Sequence, residues 1–553
     1  MRDQTVSRPA FFYGGILVIA GLTARRRFFL DRRHRPRQLD GNMRSVVQQA
    51  WRLIQRHPLA FVLLVALAVR LVAVIYSRGF IHSDDQFDTI DVAYDWLRNG
   101  LWGDDGLLRW KDQSGATVGR FPLYTLSLYA VMKGYYARGI SSLDTMMYGI
   151  RFTHALLSLL PVWAIFRVTQ RVTGQNNWAI IGGLAAGLHF AMPFLGVRNL
   201  IEMVGGNIWI VSLYCLYRFQ DNKRTGWLYG AGLIAGLAWM IRFQIAFAIL
   251  PIPLLLWGQS RSLRPALHFA AAVGFMLLLS GIIDAVLVGK FAATTINNLS
   301  INASLGPRYN TVPLLSPLVI LTVFIPPTSL MLVYLAAKSA FWKNHRLLVI
   351  SSLFFIVIHM LHANQQERFM VPIIPALILI AVLAVWTQYR RRGYVVYNRT
   401  FWRCLSWWTL AVNLALLVFF TGAYGHKGMI EPLVWISKMN PRPRVMVVQP
   451  DLKRWMPLDY AGMEPLKRKY VRSQDDMSHI GPDERGPEAF DLFILYPQKE
   501  GELQVYLDSI QNHYGPVEEV RRFPPSWYDR VMHTLNPRHN GRMEAVVYGP
   551  SGL

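Results

Sequence analysis

Four aspartates and a histidine fall within ten residues of one another in the stretch Ile81-His82-Ser83-Asp84-Asp85-Gln86-Phe87-Asp88-Thr89-Ile90-Asp91. A carboxylate so placed can take the proton of an attacking hydroxyl, or it can bind a cation. The same acids also suit a solvated loop start or a helix N-terminus, where aspartate is favoured. Both readings stand on the residues alone. Further along come Arg198-Asn199 with Glu202, then Arg242-Phe243-Gln244, then Asp284, then His362-Ala363-Asn364-Gln365-Gln366-Glu367-Arg368-Phe369. Guanidinium geometry matches phosphate oxygens, so Arg242 and Arg368 are candidates to hold a phosphate. Taken singly, each of these residues suits snorkelling or a structural ion pair better, and their convergence carries more than any one of them.

What must position these residues is a membrane domain. The chain has 553 residues, 53% hydrophobic and 16% charged, where a soluble protein carries about 25% charged. Apolar runs of roughly span length fall near 58–77, 150–168, 178–196, 199–218, 226–242, 243–257, 265–288, 313–336, 346–362, 370–388 and 402–422. The segment 121–136 is apolar too. With it left out of the spans, the loops 167–177, 218–225, 258–264, 337–346 and 389–403 face one side with fifteen Lys or Arg against the single acid Asp221. The opposite loops 197–202, 242–244, 284–311 and 362–369 hold five basic residues and three acids. The basic side is the inner one. Counting 121–136 as a span would reverse that bias, so it is expected to be re-entrant or to lie along the outer surface. The N-terminus is then inside. The acidic loop, Glu202, Arg242 and Arg368 converge outside.

The fold class that follows is an α-helical multispanning protein of about eleven spans with a small C-terminal α/β domain on the outer side. Three regions are expected: a basic cytoplasmic tail over 1–57, a transmembrane domain over 58–424 with an outer loop at 78–149, and an extracytoplasmic domain over 425–553. Strand-like runs occur at Val445–Val448, Leu492–Leu495 and Ala545–Tyr548, with a helix-like stretch near 502–512. Residues 11–24 are apolar but short for a span, and seven arginines follow between Arg25 and Arg37. A signal peptide carries its charge ahead of the apolar run. Met43 is an alternative start.

The net charge of +25 follows membrane topology, and no nucleic-acid-binding motif accompanies it. There is no Walker A loop, dinucleotide glycine fingerprint or His-Glu-x-x-His pair. Cys215 and Cys404 have no metal-ligand spacing.

The arrangement over about 60–420 resembles the GT-C glycosyltransferases that use polyprenyl-phosphate sugars, and within them the Alg/PIG mannosyltransferases. That branch has His-Pro-Asp-Glu in its first outer loop and a glutamine soon after, and His82-Ser83-Asp84-Asp85-Gln86 is similar. Arg120-Phe121-Pro122-Leu123-Tyr124 resembles an Arg-x-x-Leu-Tyr-type segment. His362, Glu367, Arg368, Phe369 and Pro372 resemble a His-Lys-Glu-Glu-Arg-Phe motif, with a longer gap after His362. Arg198 with Glu202, Arg242 to Gln244, and Asp284 resemble further positions. The departures at Ser83 and Asp85, and the absence of the eukaryotic C-terminal motif, point to a divergent, bacterial-type relative in an inner membrane.

The resemblance implies an inverting sugar transfer, of mannose or another hexose, from a polyprenyl-phosphate donor to a hydroxyl on a lipid or glycan acceptor. Asp84 would be the general base, with Asp85 the alternative. His82, Gln86, Arg120, Arg198, Glu202, Arg242, Gln244, Asp284, His362, Glu367 and Arg368 would bind substrate, with Arg368 and Arg242 on the phosphate. Membrane lipids and the two substrates are the expected partners, with no nucleic acid. No cofactor or metal is called for, although the acid cluster leaves room for a divalent ion. The competing class is a transporter or flippase for a lipid-linked or acidic substrate, which would also carry ionisable residues inside its bundle. Against it stand the gathering of those residues on one face and the lack of paired repeats.

Overall fold

The computed structural model describes residues 41–81, 86–110, 120–305, 315–362, 365–392, 399–449, 456–464, 466–471, 489–498, 501–537 and 540–551. His82, Asp84 and Asp85 lie outside the described residues, as does the apolar stretch 11–24. The chain divides into two units, Met1–His57 and Pro58–Leu553. The first is described only in the helix Gly41–Arg56 and His57.

In the second unit, six helices among the described residues are long and apolar enough to cross a membrane: Pro58–Tyr76, Leu143–Thr173, Phe243–Ser260, Leu263–Val288, Glu367–Arg390 and Thr400–Thr421. A bent pair, Leu315–Val323 and Thr328–Ala336, makes a seventh if counted as one span. The difference from eleven uniform spans has physical causes. Residues 313–336 do not form a straight helix, because the pair turns by 109° at Pro326-Pro327, where two ring nitrogens have no proton to donate. The expected span 178–196 is two helices, Asn176–Leu188 and Ala191–Gly196. The freed backbone groups at the break are met by one side chain. Asn413 Nδ2 donates to Leu188 O at 2.8 Å, and its Oδ1 accepts from Phe190 N at 3.0 Å. Broken helices persist at membrane depth only where such partners exist. The segment beginning at 243 is likewise broken, with a 3-10 turn at Phe243–Ile245 ahead of Ala246–Ile249 and Ile252–Ser260. Gly226–Ile241 and Arg346–Leu361 have 16 residues each and are short for a span. Ile201–Asn222 is long enough but carries the buried polar residues Glu202, Asn207 and Ser212.

Position in the bundle follows side-chain character. Glu367–Arg390 is mostly buried, whereas Thr400–Thr421 is mostly exposed and presents Phe401, Trp407, Trp408 and Val418. The apolar segment 121–136 forms a helix over Pro122–Tyr136, with proline at its first position, where a missing N–H costs nothing.

One sheet joins the segment after the first span to the C-terminal part, and a second lies within that part. In the first, β1 (Arg78–Gly79) pairs in parallel with β2 (Tyr424–Gly425). The second has five strands in the order β4 (Arg468–Val471), β3 (Val445–Val448), β5 (Leu492–Leu495), β7 (Ala545–Pro550), β6 (Val517–Phe523). β4, β3 and β5 are mutually parallel, while β7 and β6 are antiparallel to their neighbours. Every residue of β3 and β5 is buried, as expected of parallel strands covered on both faces. One face packs on the helix Glu502–Tyr514 through Tyr506, Ile510 and Tyr514. The other, through Val445, Val447, Ile494 and Val547, belongs to a core that also holds Ile430 and Leu433 and reaches Met132, Met146 and Ile150.

Candidate functional site

The acidic loop starts where the first span is clamped. Arg198 is 3% exposed and spends its guanidinium on this junction. It contacts the Ser77 hydroxyl and donates to Phe194 O at 3.0 Å, Ala423 O at 3.0 Å and Arg78 O at 3.4 Å. Arg151 Nε donates to Val74 O at 2.9 Å. Arg151 thus satisfies a carbonyl in the last turn of Pro58–Tyr76, where cations are favoured, and Arg198 holds the residues that follow it. Gly79 follows with φ +74°, and a Cβ there would sit 1.8 Å from Gly425 O. Only glycine permits this close β1–β2 pairing.

Beyond residues 82–85 the chain re-enters as a π-helical turn, Gln86–Ile90, leading into the helix Asp91–Asn99. Such turns are frequent at functional sites. Gln86 is buried and donates Nε2 to Asp91 Oδ1 at 2.7 Å. Burial, followed by the nearby charge of Asp459, pushes the Asp91 carboxyl well above the usual range. Burial also raises Asp459, against the pull of Arg98, which pairs with it at 2.7 Å. Asp91 thus holds the loop's end through Gln86, while Arg98 on the same helix ties it to Leu458–Ala461 through Asp459. Its neighbour Asp88 pairs with Arg120 at 3.4 Å.

The densest charge lies one turn beyond Arg198. Glu202 is completely buried at the start of Ile201–Asn222, with Arg242 Nη2 at 2.7 Å and Arg368 Nε at 3.9 Å. Arg120 completes the set of guanidiniums whose charges bear on it. Neither Glu202 oxygen accepts a well-directed hydrogen bond, so the carboxylate is held by charge. Arg242 Nε donates to Gln244 Oε1 at 2.7 Å and Arg368 Nε to Gln366 Oε1 at 2.8 Å, which fixes both planes. Sequence explains the convergence. A Cβ on Gly205 would lie 3.0 Å from Arg242 Cβ, and one on Gly206 would lie 2.5 Å from Pro372 O. The glycine pair after Glu202 thus lets Arg242 and the 367–373 backbone close on it, as small residues do between membrane helices.

A polar network flanks this cluster. The Tyr124 hydroxyl contacts Asn199 and lies 2.8 Å from His154 Nε2, whose Nδ1 faces Ile150 O at 2.8 Å. Asn199 Nδ2 reaches Thr89 Oγ1 at 2.8 Å. The end of the acidic loop is therefore tied to two helices and to the junction ahead of Ile201–Asn222.

Of the residues singled out from sequence, Arg120, Glu202, Arg242, Gln244 and Arg368 come together. Gln86 and Arg198 stand at the loop's two ends. Glu367 is exposed and His362 partly buried. Asp284 accepts from Thr294 N at 3.0 Å and Thr294 Oγ1 at 2.7 Å, and so joins Leu263–Val288 to Ala293–Leu305. Arg151, His154 and Asp459 are not among the residues singled out from sequence. Arg151 and His154, three apart in an apolar helix, carried the usual signal of ionisable groups inside a membrane segment.

Residues 130–283 match the family described as dolichyl-phosphate-mannose-protein mannosyltransferase. GPI alpha-1,2-mannosyltransferase 3 of Mus musculus is 22% identical over 398 residues, covering 69% of this chain and 67% of its own. The crystal structure of ArnT from Cupriavidus metallidurans bound to undecaprenyl phosphate superposes with a TM-score of 0.54 at 13% identity, over 89% of this chain and 98% of that one. Its apo form gives 0.53 at 15% identity, over 89% and 97%. At such identities the structural likeness concerns the fold. With the family match and the curated relative, it likens this integral membrane protein to the GT-C glycosyltransferases that use polyprenyl-phosphate sugars, and within them to the Alg/PIG branch.

Proposed function

We propose that the chain transfers a hexose, mannose being the first to test, from a polyprenyl-phosphate donor to an acceptor hydroxyl at the outer membrane face, with inversion. The acceptor oxygen attacks the anomeric carbon as Asp84 takes its proton. The bond from that carbon to the phosphate oxygen breaks, and the electron pair leaves with the phosphate. Asp85 is the alternative base, and His82 or Asp85 orients the acceptor. No metal ion or cofactor is called on. The donor's phosphodiester carries one negative charge, whereas the departing polyprenyl phosphate develops a second. Preorganised cations stabilise such developing charge best in a dry site.

The observation that supports this reading most is the cluster of Arg242, Arg368 and Arg120 around the single carboxylate Glu202. It leaves a net positive site beside the acidic loop, with Arg120 also paired to Asp88 of that loop. The relative's name and the undecaprenyl phosphate bound by ArnT supply the substrate class. The test is sugar transfer by the purified chain reconstituted with a polyprenyl-phosphate hexose. Transfer that persists in Asp84→Asn and fails in Asp85→Asn would move the base by one residue. Transfer intact in both would remove this loop from proton abstraction.

A further inference from the structure

A small cavity lies between the flanks of the acidic loop and the helix Leu143–Leu157. Phe80, Ile81 and Gln86 line one side, and Arg151, Arg198 and Asn199 the other. Its distinguishing group is Arg151, 3% exposed. A guanidinium has five N–H donors. Among the described residues Arg151 makes one hydrogen bond, from Nε to Val74 O. Its Nη2 is buried and bonds nothing. Stacking on Tyr148, with Cζ 4.4 Å from the ring centre, fixes the plane. Asp144 on the same helix is committed to Arg78 at 2.6 Å. Arg198, the other cation of the cavity, spends four contacts on Ser77 and backbone carbonyls. Among its described lining residues the cavity thus has two guanidiniums and no carboxylate. A buried charge with unbonded donors is expensive. Clamping Val74 O alone would need only one of those donors.

We propose that this cavity is a second anion subsite, in which Arg151 bonds a phosphate or carboxylate group carried by the acceptor. Glu202, Arg242 and Arg368 are not among its described lining residues. The assignment to the acceptor rests on the donor phosphate occupying Arg242 and Arg368. Inorganic phosphate is the first probe. Thermal unfolding of the purified full chain in nanodiscs is followed during a phosphate titration, with chloride balancing ionic strength. In the Arg368→Ala background a phosphate-dependent rise in Tm remains. Adding Arg151→Gln moves its midpoint at least about tenfold higher, the scale of one charged hydrogen bond. Arg151→Lys, whose ammonium cannot serve Val74 O and an anion with the same geometry, weakens the response and decides the matter if the glutamine variant does not fold. A response abolished by Arg368→Ala alone, or unchanged by either Arg151 substitution, overturns the subsite. In the transfer assay, Arg151→Gln raises KM for a phosphate- or carboxylate-bearing acceptor and leaves the donor KM in place. The opposite split overturns the acceptor assignment. Normal donor use by Arg368→Ala, with the Arg151-dependent response intact, would sink the donor-phosphate role and leave the subsite standing.

Discussion

Glu202→Gln removes a charge while keeping the side chain's shape, so its consequences can be worked from the cluster. In the wild-type protein the carboxylate is fully buried, with Arg242 at 2.7 Å and Arg368 at 3.9 Å. Opposite charges 4 Å apart attract by about 4 kcal/mol at an effective dielectric near 20. Removing one partner of a buried pair typically costs about 3–5 kcal/mol, because the other charge is left uncompensated. The glutamine oxygen still faces Arg242, so we expect about 3 kcal/mol, at the lower end of that range. An anionic ligand reverses the sign of the argument. Polyprenyl phosphate brings negative charge to guanidiniums that the variant has left without it, and no carboxylate repels it. A ligand that binds only the native state stabilises by about 2.7 kcal/mol at one hundred times its Kd, so tighter binding gives a larger gain at equal concentration. The assay is thermal unfolding in nanodiscs, with and without polyprenyl phosphate, at one scan rate. The variant melts earlier than wild type without ligand and recovers more with it. Equal melting without ligand, or a smaller recovery than wild type, would refute the counter-ion role of Glu202.

Arg368→Ala lowers donor use about ten- to a hundredfold, and Arg368→Lys restores part of it, since an ammonium supplies charge without the planar fork; donor-dependent kinetics at saturating acceptor check this. Gly206→Ala places a methyl 2.5 Å from Pro372 O and should cost about 1–3 kcal/mol as overpacking. It should also lower donor affinity by parting Glu202 from Arg368, whereas Gly230→Ala, which meets no atom within 4 Å, leaves both unchanged. Asp91 has its folded-state pKa raised by burial and Asp459, so the stability it contributes is full below an unfolded value of about 3.9. That stability is lost as pH rises through the elevated folded value. Asp91→Asn therefore flattens the pH dependence of Tm above about pH 4, and at neutral pH the variant is at least as stable as wild type. A variant that loses stability as steeply as wild type with rising pH would show that Asp91 is not the group responsible.

The sequence made some of this architecture readable. The apolar runs Val445–Val448 and Leu492–Leu495 read as strands because both of their faces are covered, which leaves little in them but aliphatic side chains. Charge parity brought Glu202, Arg242 and Arg368 to one face, because the basic-inside bias accumulates over many loops. Parity speaks to sidedness and not to contact. The closeness of Arg242 and Arg368 to Glu202 depends on Gly205-Gly206, whose small size matters only once the opposing backbone is known. Arg198 illustrates the reverse case. Its position suggested a ligand, yet its Nη1 and Nη2 are taken by Ser77 and by carbonyls as far along the chain as Ala423, partners that no local spacing reveals. The break at His189-Phe190 was hidden for the same reason, since the side chain that fills it is Asn413.

The central claim is that the acidic loop and the guanidinium cluster serve one transfer reaction. Its most direct measurement is single-turnover transfer from a radiolabelled polyprenyl-phosphate hexose by the reconstituted chain, comparing wild type, Asp84→Asn and Asp85→Asn. Wild type transfers the sugar, Asp84→Asn is slower by about 10²–10⁴-fold, and the donor still binds to that variant. Wild-type-like rates in both variants, or no transfer by the wild-type chain with any polyprenyl-phosphate hexose, would contradict the account.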